Sequence, residues 1–436
     1  MRDLIDRFVL ESRARRFPDV TARRARLFAL PGKVDAVIGM RRSGKTWLLY
    51  QRIQQLLAQG VPRERILYVN FEDERLRPLS TGDLQEFPEA IYRLNPEARE
   101  ETCYFFLDEV HVVPGWEQFV RRLNDEGNVQ VAVTGSSAAL LSREIATSLR
   151  GRSLSTEVLP FGFDEALRHA GTEPPKRFPV AARMRSTLEG SLKRYMEVGG
   201  FPEVQSYEPE TRVRLLQEYA QVAVFRDVVE RHAVSHIPAL QQVVRHLLAT
   251  PSQPLSVNKL FQTLKSQGFR LAKDALYADL RHLEDAFLIG TIEIDSPSAR
   301  ARMTNPRKCY LIDTGFAHAF SMRAEANPGP LLENLVYLEL RRRRYELSYA
   351  LTATGREIDF VARRAKTEPE MIQACADLRD PATRQREIAA LEEGFREGRG
   401  RSATIVTLRD EETLVVGRRK VRAVPAWRWL LEGLSA

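Results

Sequence analysis

Residues Gly39 to Thr46, GMRRSGKT, fit the spacing G-x-x-x-x-G-K-[ST], a pattern suited to holding a chain of phosphates. Gly39 and Gly44 permit a tight turn and close backbone approach. The amides of the loop, from Met40, Arg41, Arg42 and Ser43 onward, can then point at anionic oxygens. Lys45 would reach the outer phosphates and the Thr46 hydroxyl would bind magnesium. About 60 residues later CYFFLDEVH supplies an acidic pair after an apolar run. Asp108 would hold the magnesium through water, and Glu109 would polarise the attacking water. Lys45 and Glu109 are thus the expected catalytic residues of an ATP hydrolysis.

Two further segments bear on that chemistry. VTGSSA ends the next apolar run, so Thr134 or Ser136 would sense the last phosphate, the plain alternative being simple turn formation. LRGRSLSTE carries Arg150 and Arg152 in a polar loop. Either would act across a subunit boundary as an arginine finger, Arg152 being the preferred one, or would be a solvated surface arginine.

The elements that must position these residues follow from periodicity. Residues 1–30 read as a basic helix. VDAVIG (34–39), ILYVNF (66–71), CYFFLD (103–108) and VQVAVTG (129–135) read as strands. A helix follows the phosphate loop and ends near Gly60, and another covers Trp116–Leu123. Strands alternating with helices at this spacing predict a parallel α/β sheet. Residues 160–235 turn mostly helical.

Residues 238–295 give three helices and then a short strand pair, the winged-helix order, in which the third helix enters the major groove of DNA. Lys273, Tyr277, Arg281 and His282 would face it. SPSARARMTNPRK, with Arg300, Arg302, Arg307 and Lys308, would form the wing. From 331 on the pattern is helix, three strands, helix, strand. Glu333 on the helix, Asp359 in a strand and MIQACADL in the next strand resemble the order of a PD-(D/E)xK nuclease. The positions that should read Glu-x-Lys are Gln373, Ala374 and Cys375. An amide is a poor ligand for a hard cation and a thiol does not replace an ammonium, so catalysis is not expected there. The run of four arginines at 341–344 is a basic face or a solvated helix end.

GMRRSGKT, ILYVNFEDERL, LDEVHVVPGWEQFVRRL, TGSSAALL, LRGRS and YMEVGGFPE, in this order, resemble the bacterial and archaeal AAA-type ATPases that carry a C-terminal domain of unknown function. The resemblance covers nearly the whole chain. It implies an α/β fold in three parts: an AAA+ P-loop ATPase domain at 1–235 with a parallel-sheet core to about 160, a winged-helix domain at 236–325, and a nuclease-like α/β domain at 326–436.

The chain has 436 residues, with 66 Lys and Arg against 58 Asp and Glu and a formal charge of +8. Ten Lys against 56 Arg suits phosphate and base contacts, or reflects a G+C-rich genome. No apolar run is long enough for a membrane span, and the charged N-terminus lacks the features of a signal peptide. Cys103, Cys309 and Cys375 fit neither a disulfide framework nor a zinc cluster, which points to the cytoplasm. The combined reading is an ATP- and magnesium-dependent homo-oligomer, a hexamer being one option. It would bind branched or single-strand-containing DNA and couple turnover to DNA remodelling or translocation. The rivals are a nucleotide-dependent signalling or defence switch acting through protein contacts, and a magnesium-dependent nuclease.

Overall fold

Strands covered on both faces must be apolar at every position rather than at alternate ones, and the first 160 residues contain four such runs. The computed structural model describes residues 1–77, 79–135, 151–321 and 327–433. Within them β1 (Val34–Ile38), β2 (Ile66–Asn70), β3 (Cys103–Asp108), β4 (Val129–Thr134) and β5 (Ser153–Glu157) form a parallel sheet ordered β2-β3-β4-β1-β5. Helices α1 (Arg2–Ala14), α2 (Lys45–Ala58), α3 (Glu86–Leu94) and α4 (Trp116–Asp125) cover it. Phe105 and Leu107 of β3 pack among residues of α1, α3 and α4, while Phe106 packs among those of α2. Both faces of the strand are therefore spent on burial, as its composition predicts.

The N-terminal helix is shorter than expected. It ends at Ala14, and residues 15–33 hold no helix. Pro18 has no amide to donate and forces Phe17 out of the helical region. The segment instead becomes a strap whose amides find side-chain acceptors: Arg23 donates to Gln51 Oε1 (2.7 Å), and Phe28 and Ala29 donate to the Asp35 carboxylate (2.8 and 3.0 Å). Helix α1 buries Ile5, Phe8, Val9 and Ser12. The Ser12 hydroxyl accepts from the Tyr68 amide at 2.9 Å, which engages the outer edge of β2.

Two compact units emerge, Met1–Leu159 with Asp285–Phe287, and Pro160–Glu284 with Leu288–Ala436. The second begins with α5 (Phe163–His169), α6 (Ala182–Val198) and α7 (Pro209–Val222). It continues with α8 (Ile237–Ala249), β6 (Gln253–Leu255), α9 (Val257–Ser266), α10 (Lys273–Asp285), β7 (Ile289–Ile294), α11 (Ala299–Thr304), β8 (Arg307–Leu311) and α12 (Gly315–Phe320). Then come α13 (Pro328–Arg342), β9 (Glu346–Leu351), β10 (Glu357–Arg363), β11 (Glu370–Cys375), α14 (Pro381–Arg396), β12 (Ser402–Thr407), β13 (Glu412–Val416), β14 (Arg419–Pro425) and α15 (Ala426–Leu431). The last three strands and α15 replace the single strand expected there. Arg419, Lys420 and Arg422 interrupt the apolar residues of β14 and make the hairpin read as a loop.

All nine of these strands share one mixed sheet, ordered β13-β14-β12-β11-β10-β9-β7-β8-β6. Strand β7 pairs with β9 in parallel, Glu293 opposite Ser348. The boundary expected near 325 therefore lies inside a continuous hydrogen-bonded sheet, and the two parts expected on either side of it are joined. The GGFPE segment is tied into the same unit. The Asp313 carboxylate accepts from the amides of Gly200 (2.6 Å) and Gly315 (2.8 Å). Gly199 has φ of 78°, and a Cβ on it would collide with that carboxylate. The substitution Gly199→Ala is expected to lower the unfolding free energy by about 3 kcal/mol, read by urea denaturation.

Candidate functional site

The loop between β1 and α2 has the backbone its glycines foretell. Gly39 has φ of 147° and Gly44 of 100°, and a Cβ on Gly39 would collide with the Val158 carbonyl. No side chain caps α2, so the amides of its first turn stay available to an anion. Lys45 is buried and lies over the loop, donating to the carbonyls of Gly39 (3.1 Å) and Met40 (3.3 Å). Arg41 reaches out to Glu72 of the NFED segment at 3.5 Å. Beneath the loop the buried Arg23 guanidinium donates to the Ser43 carbonyl (2.9 Å) and to the Leu159 carbonyl. The strap thus braces the loop from below.

Asp108 is buried at the end of β3. Three hydroxyls donate to it: Thr46 (2.8 Å) and Tyr68 (2.8 Å) to Oδ2, and Thr134 (2.5 Å) to Oδ1. A buried carboxylate needs such donors to remain in place. Tyr68 in turn accepts from Tyr50 (3.3 Å), and Tyr50 from Arg15 (3.1 Å), whose guanidinium lies 4.8 Å over the Tyr68 ring. A chain of contacts therefore runs from the strap to the aspartate.

Glu109 adopts a left-handed conformation, φ 51° and ψ 39°, unusual for a side chain of its size. Its amide donates to the Thr134 hydroxyl at 2.8 Å. Its carboxylate lies 3.9 Å from Lys45 Nζ and 3.3 Å from His111 Nδ1. Burial pushes its pKa up to about 7, with Lys45 opposing and the Asp108 charge adding to the rise. A carboxyl group poised near neutrality, next to a lysine and a phosphate loop, has the properties of a general base.

The structure brings Gly39 to Thr46, Asp108, Glu109 and Thr134 into one site. Thr134 has a different use from the one expected. Its hydroxyl is engaged by Asp108 and by the Glu109 amide, so it clamps the acidic pair rather than facing a phosphate. Ser136 and Arg150 lie outside the described residues. Arg152 precedes β5 at the end of the sheet opposite the loop, since Val34 pairs with Ser153 and Ile38 with Glu157. Its guanidinium forms a surface pair with Asp125 at 2.6 Å. Tyr68 and Arg23 were missed by sequence reasoning. The available signal for Tyr68 was parity, because it stands opposite Phe106 as Asn70 stands opposite Asp108.

In the second unit Lys273, Tyr277 and Arg281 recur at four-residue spacing on α10 and are exposed, with Lys273 Nζ 5.9 Å from the Tyr277 ring centre. Tyr277 and Arg281 line an open groove of about 500 Å³ together with Met303 and Arg307. His282 departs from that face and stacks on His232, ring centres 3.6 Å apart. The expected wing contains the short helix α11. Arg300 on it is exposed, Arg302 donates to the Ser296 carbonyl (2.5 Å), and Arg307 pairs with Glu293 (2.8 Å). Lys308 is 1% exposed and cannot touch nucleic acid; it points among carboxylates on the far side of its strand. The arginine run at 341–344 is not a bare basic face either. Arg342 donates to the carbonyls of Pro160 and Phe161, and Arg343 to Glu339 and to the Trp429 carbonyl.

Comparison with known proteins gives five matches. A family model described as an AAA domain matches residues 32–167, and a model described as a domain of unknown function (DUF8612) matches residues 189–327. The chain is 33% identical over 412 residues to an uncharacterized protein of Methanocaldococcus jannaschii, covering 92% of this chain and 89% of that one. It is 31% identical over 332 residues to an uncharacterized protein of Haemophilus influenzae, covering 76% and 80%. Among solved structures, the Aeropyrum pernix ORC1 protein in complex with DNA matches 74% of this chain and 91% of that one, at 14% identity and a TM-score of 0.29, too loose a likeness to argue from. Arg23→Met, which strips two carbonyls of their donor, is expected to cost about 2–3 kcal/mol of stability in urea denaturation.

Proposed function

The chain belongs to the AAA-type P-loop family that includes the Methanocaldococcus jannaschii protein, and from that premise we propose that it hydrolyses ATP with magnesium and binds DNA as a homo-oligomer. One observation carries the first half of this reading: Lys45 and Thr46 of α2 and Asp108 and Glu109 at the end of β3 converge at the open N-terminus of α2. The donor set fits a magnesium nucleotide. Thr46 and Asp108 offer a hydroxyl and a carboxylate to a hard cation, and the first-turn amides of α2 and Lys45 offer positive partners to phosphate oxygens. Magnesium, when bound there, would neutralise charge on the phosphates.

The chain's own residues supply the remaining parts. Glu109 accepts a proton from the attacking water, and Thr134 fixes its backbone. Tyr68 and Thr134 hold Asp108 in place. Arg41 and Arg42 flank the phosphates. Arg152, at the far end of the sheet, serves only a neighbouring copy's nucleotide, after leaving Asp125. No described helix is long and apolar enough to cross a membrane.

The DNA half of the reading rests on the order of elements from α8 to β8 and on the exposed face of Lys273, Tyr277 and Arg281, which would meet the duplex. The β6, β8 and β7 strands pair antiparallel behind three helices, as a winged helix requires. Arg300 adds charge beside that face. Arg302 and Arg307 would join only by exchanging their present partners. Remodelling of branched or single-stranded DNA, or translocation, would couple this face to ATP turnover.

Four measurements test the proposal. Lys45→Ala should lower ATPase turnover by on the order of 10²–10³-fold. Glu109→Gln should still bind ATP while turnover falls by on the order of 10²–10⁴-fold, and equal turnover in that variant removes Glu109 from the mechanism. The base must be deprotonated to act, so wild-type kcat is expected to rise with pH through about 7, level off above it and fall away below it. For DNA, Lys273→Ala should weaken binding and reduce the slope of log affinity against log salt by about 1, whereas an unchanged slope removes Lys273 from the phosphate contacts.

A further inference from the structure

Three carboxylates of the second unit meet at one point, and a lysine ammonium already stands there. Lys308 on β8 lies 2.5 Å from Glu333 of α13, 2.7 Å from Glu357 and 3.3 Å from Asp359, both of β10. An ammonium has three protons to give, and all three are taken. Tyr310, two residues on and on the same face of β8, donates to Glu333 at 2.7 Å. Gln373 completes the floor. Its carbonyl accepts from the Asp359 amide (2.7 Å), and its amide nitrogen donates to Glu387 (2.7 Å) and the Glu357 carbonyl (3.1 Å). Asp359 also accepts from the Ala374 amide at 2.9 Å.

Such a nest, oxygen-lined and assembled from a helix and a strand, suits a hard divalent cation. Burial and the Asp359 charge push the Glu333 pKa up to about 8, with Lys308 opposing. Three carboxyl groups face a single ammonium, so the nest gathers more acidic groups than Lys308 can match in number. Burial disfavours the charged form of Lys308, but Asp359, Glu333 and Glu357 outweigh that and raise its pKa instead. The charge is therefore fixed in place. Among the described residues no group of three or more His, Cys, Asp or Glu is arranged to take a metal ion.

We propose that Lys308 is the permanent cation of this nest, standing where a divalent ion would sit, so that the C-terminal part is a metal-free scaffold and not a nuclease. The lysine arrives from β8, on the other side of the boundary the sequence suggests, while the strand position that should carry a lysine holds Cys375, which is buried in the apolar core. The ammonium is also a rivet. It binds β8 to α13 and β10, across the seam where β7 pairs with β9.

The test uses nucleotide-free, full-length protein titrated with Mn²⁺, free Mn²⁺ being read by electron paramagnetic resonance. Wild type and Asp359→Asn should bind the same number of ions. Lys308→Met should bind one more, and Lys308→Met with Asp359→Asn should lose it. If Lys308→Met unfolds in chelator, recovery of its circular dichroism spectrum in Mn²⁺ supports the same conclusion. In parallel, wild type is incubated with supercoiled plasmid and Mg²⁺ or Mn²⁺. The proposal is overturned if wild type binds one Mn²⁺ more than Asp359→Asn, if it nicks the plasmid and Asp359→Asn does not, or if folded Lys308→Met gains no ion. The comparison of wild type with Asp359→Asn decides the matter even where the Lys308 variant does not fold.

Discussion

A carboxylate buried as Asp108 is needs donors in place of water, because the interior solvates charge poorly. Three hydroxyls supply them, and each comes from a different element. Thr46 reaches Asp108 only because the loop turns α2 back over the ends of the strands. Thr134 reaches it only because β4 lies between β3 and β1. Tyr68 reaches it only because β2 pairs with β3 in a register that puts Tyr68 and the aspartate on the same face. The strand order, the register and the loop are all expressed in the coordination of one side chain.

What was legible in the sequence was what is local. GMRRSGKT and the apolar run before Asp108 and Glu109 declare themselves by spacing and composition, and the strands they imply are found. What was not legible depends on partners far along the chain. Nothing near Arg23 says that its guanidinium will support the carbonyl of Ser43. RKCYL is equally consistent with an outward and an inward lysine, because Cys309 on the opposite face of Lys308 is buried too. Only the pairing of β7 with β9 decides where Lys308 goes. The N-terminal helix differs in kind: its charge pattern continues past Pro18, but the proline is the physically decisive local signal and the helix stops before it.

The arginine excess also changes meaning. A guanidinium carries five N–H donors in a fixed fork and can satisfy several carbonyls at once. Arg63 does so at the end of α1, donating to the carbonyls of Ser12, Arg13 and Arg15. Arg23 does so at the phosphate loop, and Arg342 and Arg343 do so beyond the end of α13. These side chains give donors to carbonyls at helix ends and in loops. Much of the positive charge is therefore architecture. Lys273, Arg281 and Arg300 are among the basic residues that stay exposed.

The continuous nine-stranded sheet sets a limit on how the protein can be taken apart. A fragment started near residue 326 to study the C-terminal part alone would leave β9 with a naked edge where β7 belongs. Glu333, Glu357 and Asp359 would meet without their ammonium. Unpaired edges recruit other chains, and crowded carboxylates recruit whatever cation the buffer holds. Aggregation or metal uptake by such a truncation would be a property of the cut, so a faithful dissection has to keep the chain from Pro160 onward in one piece.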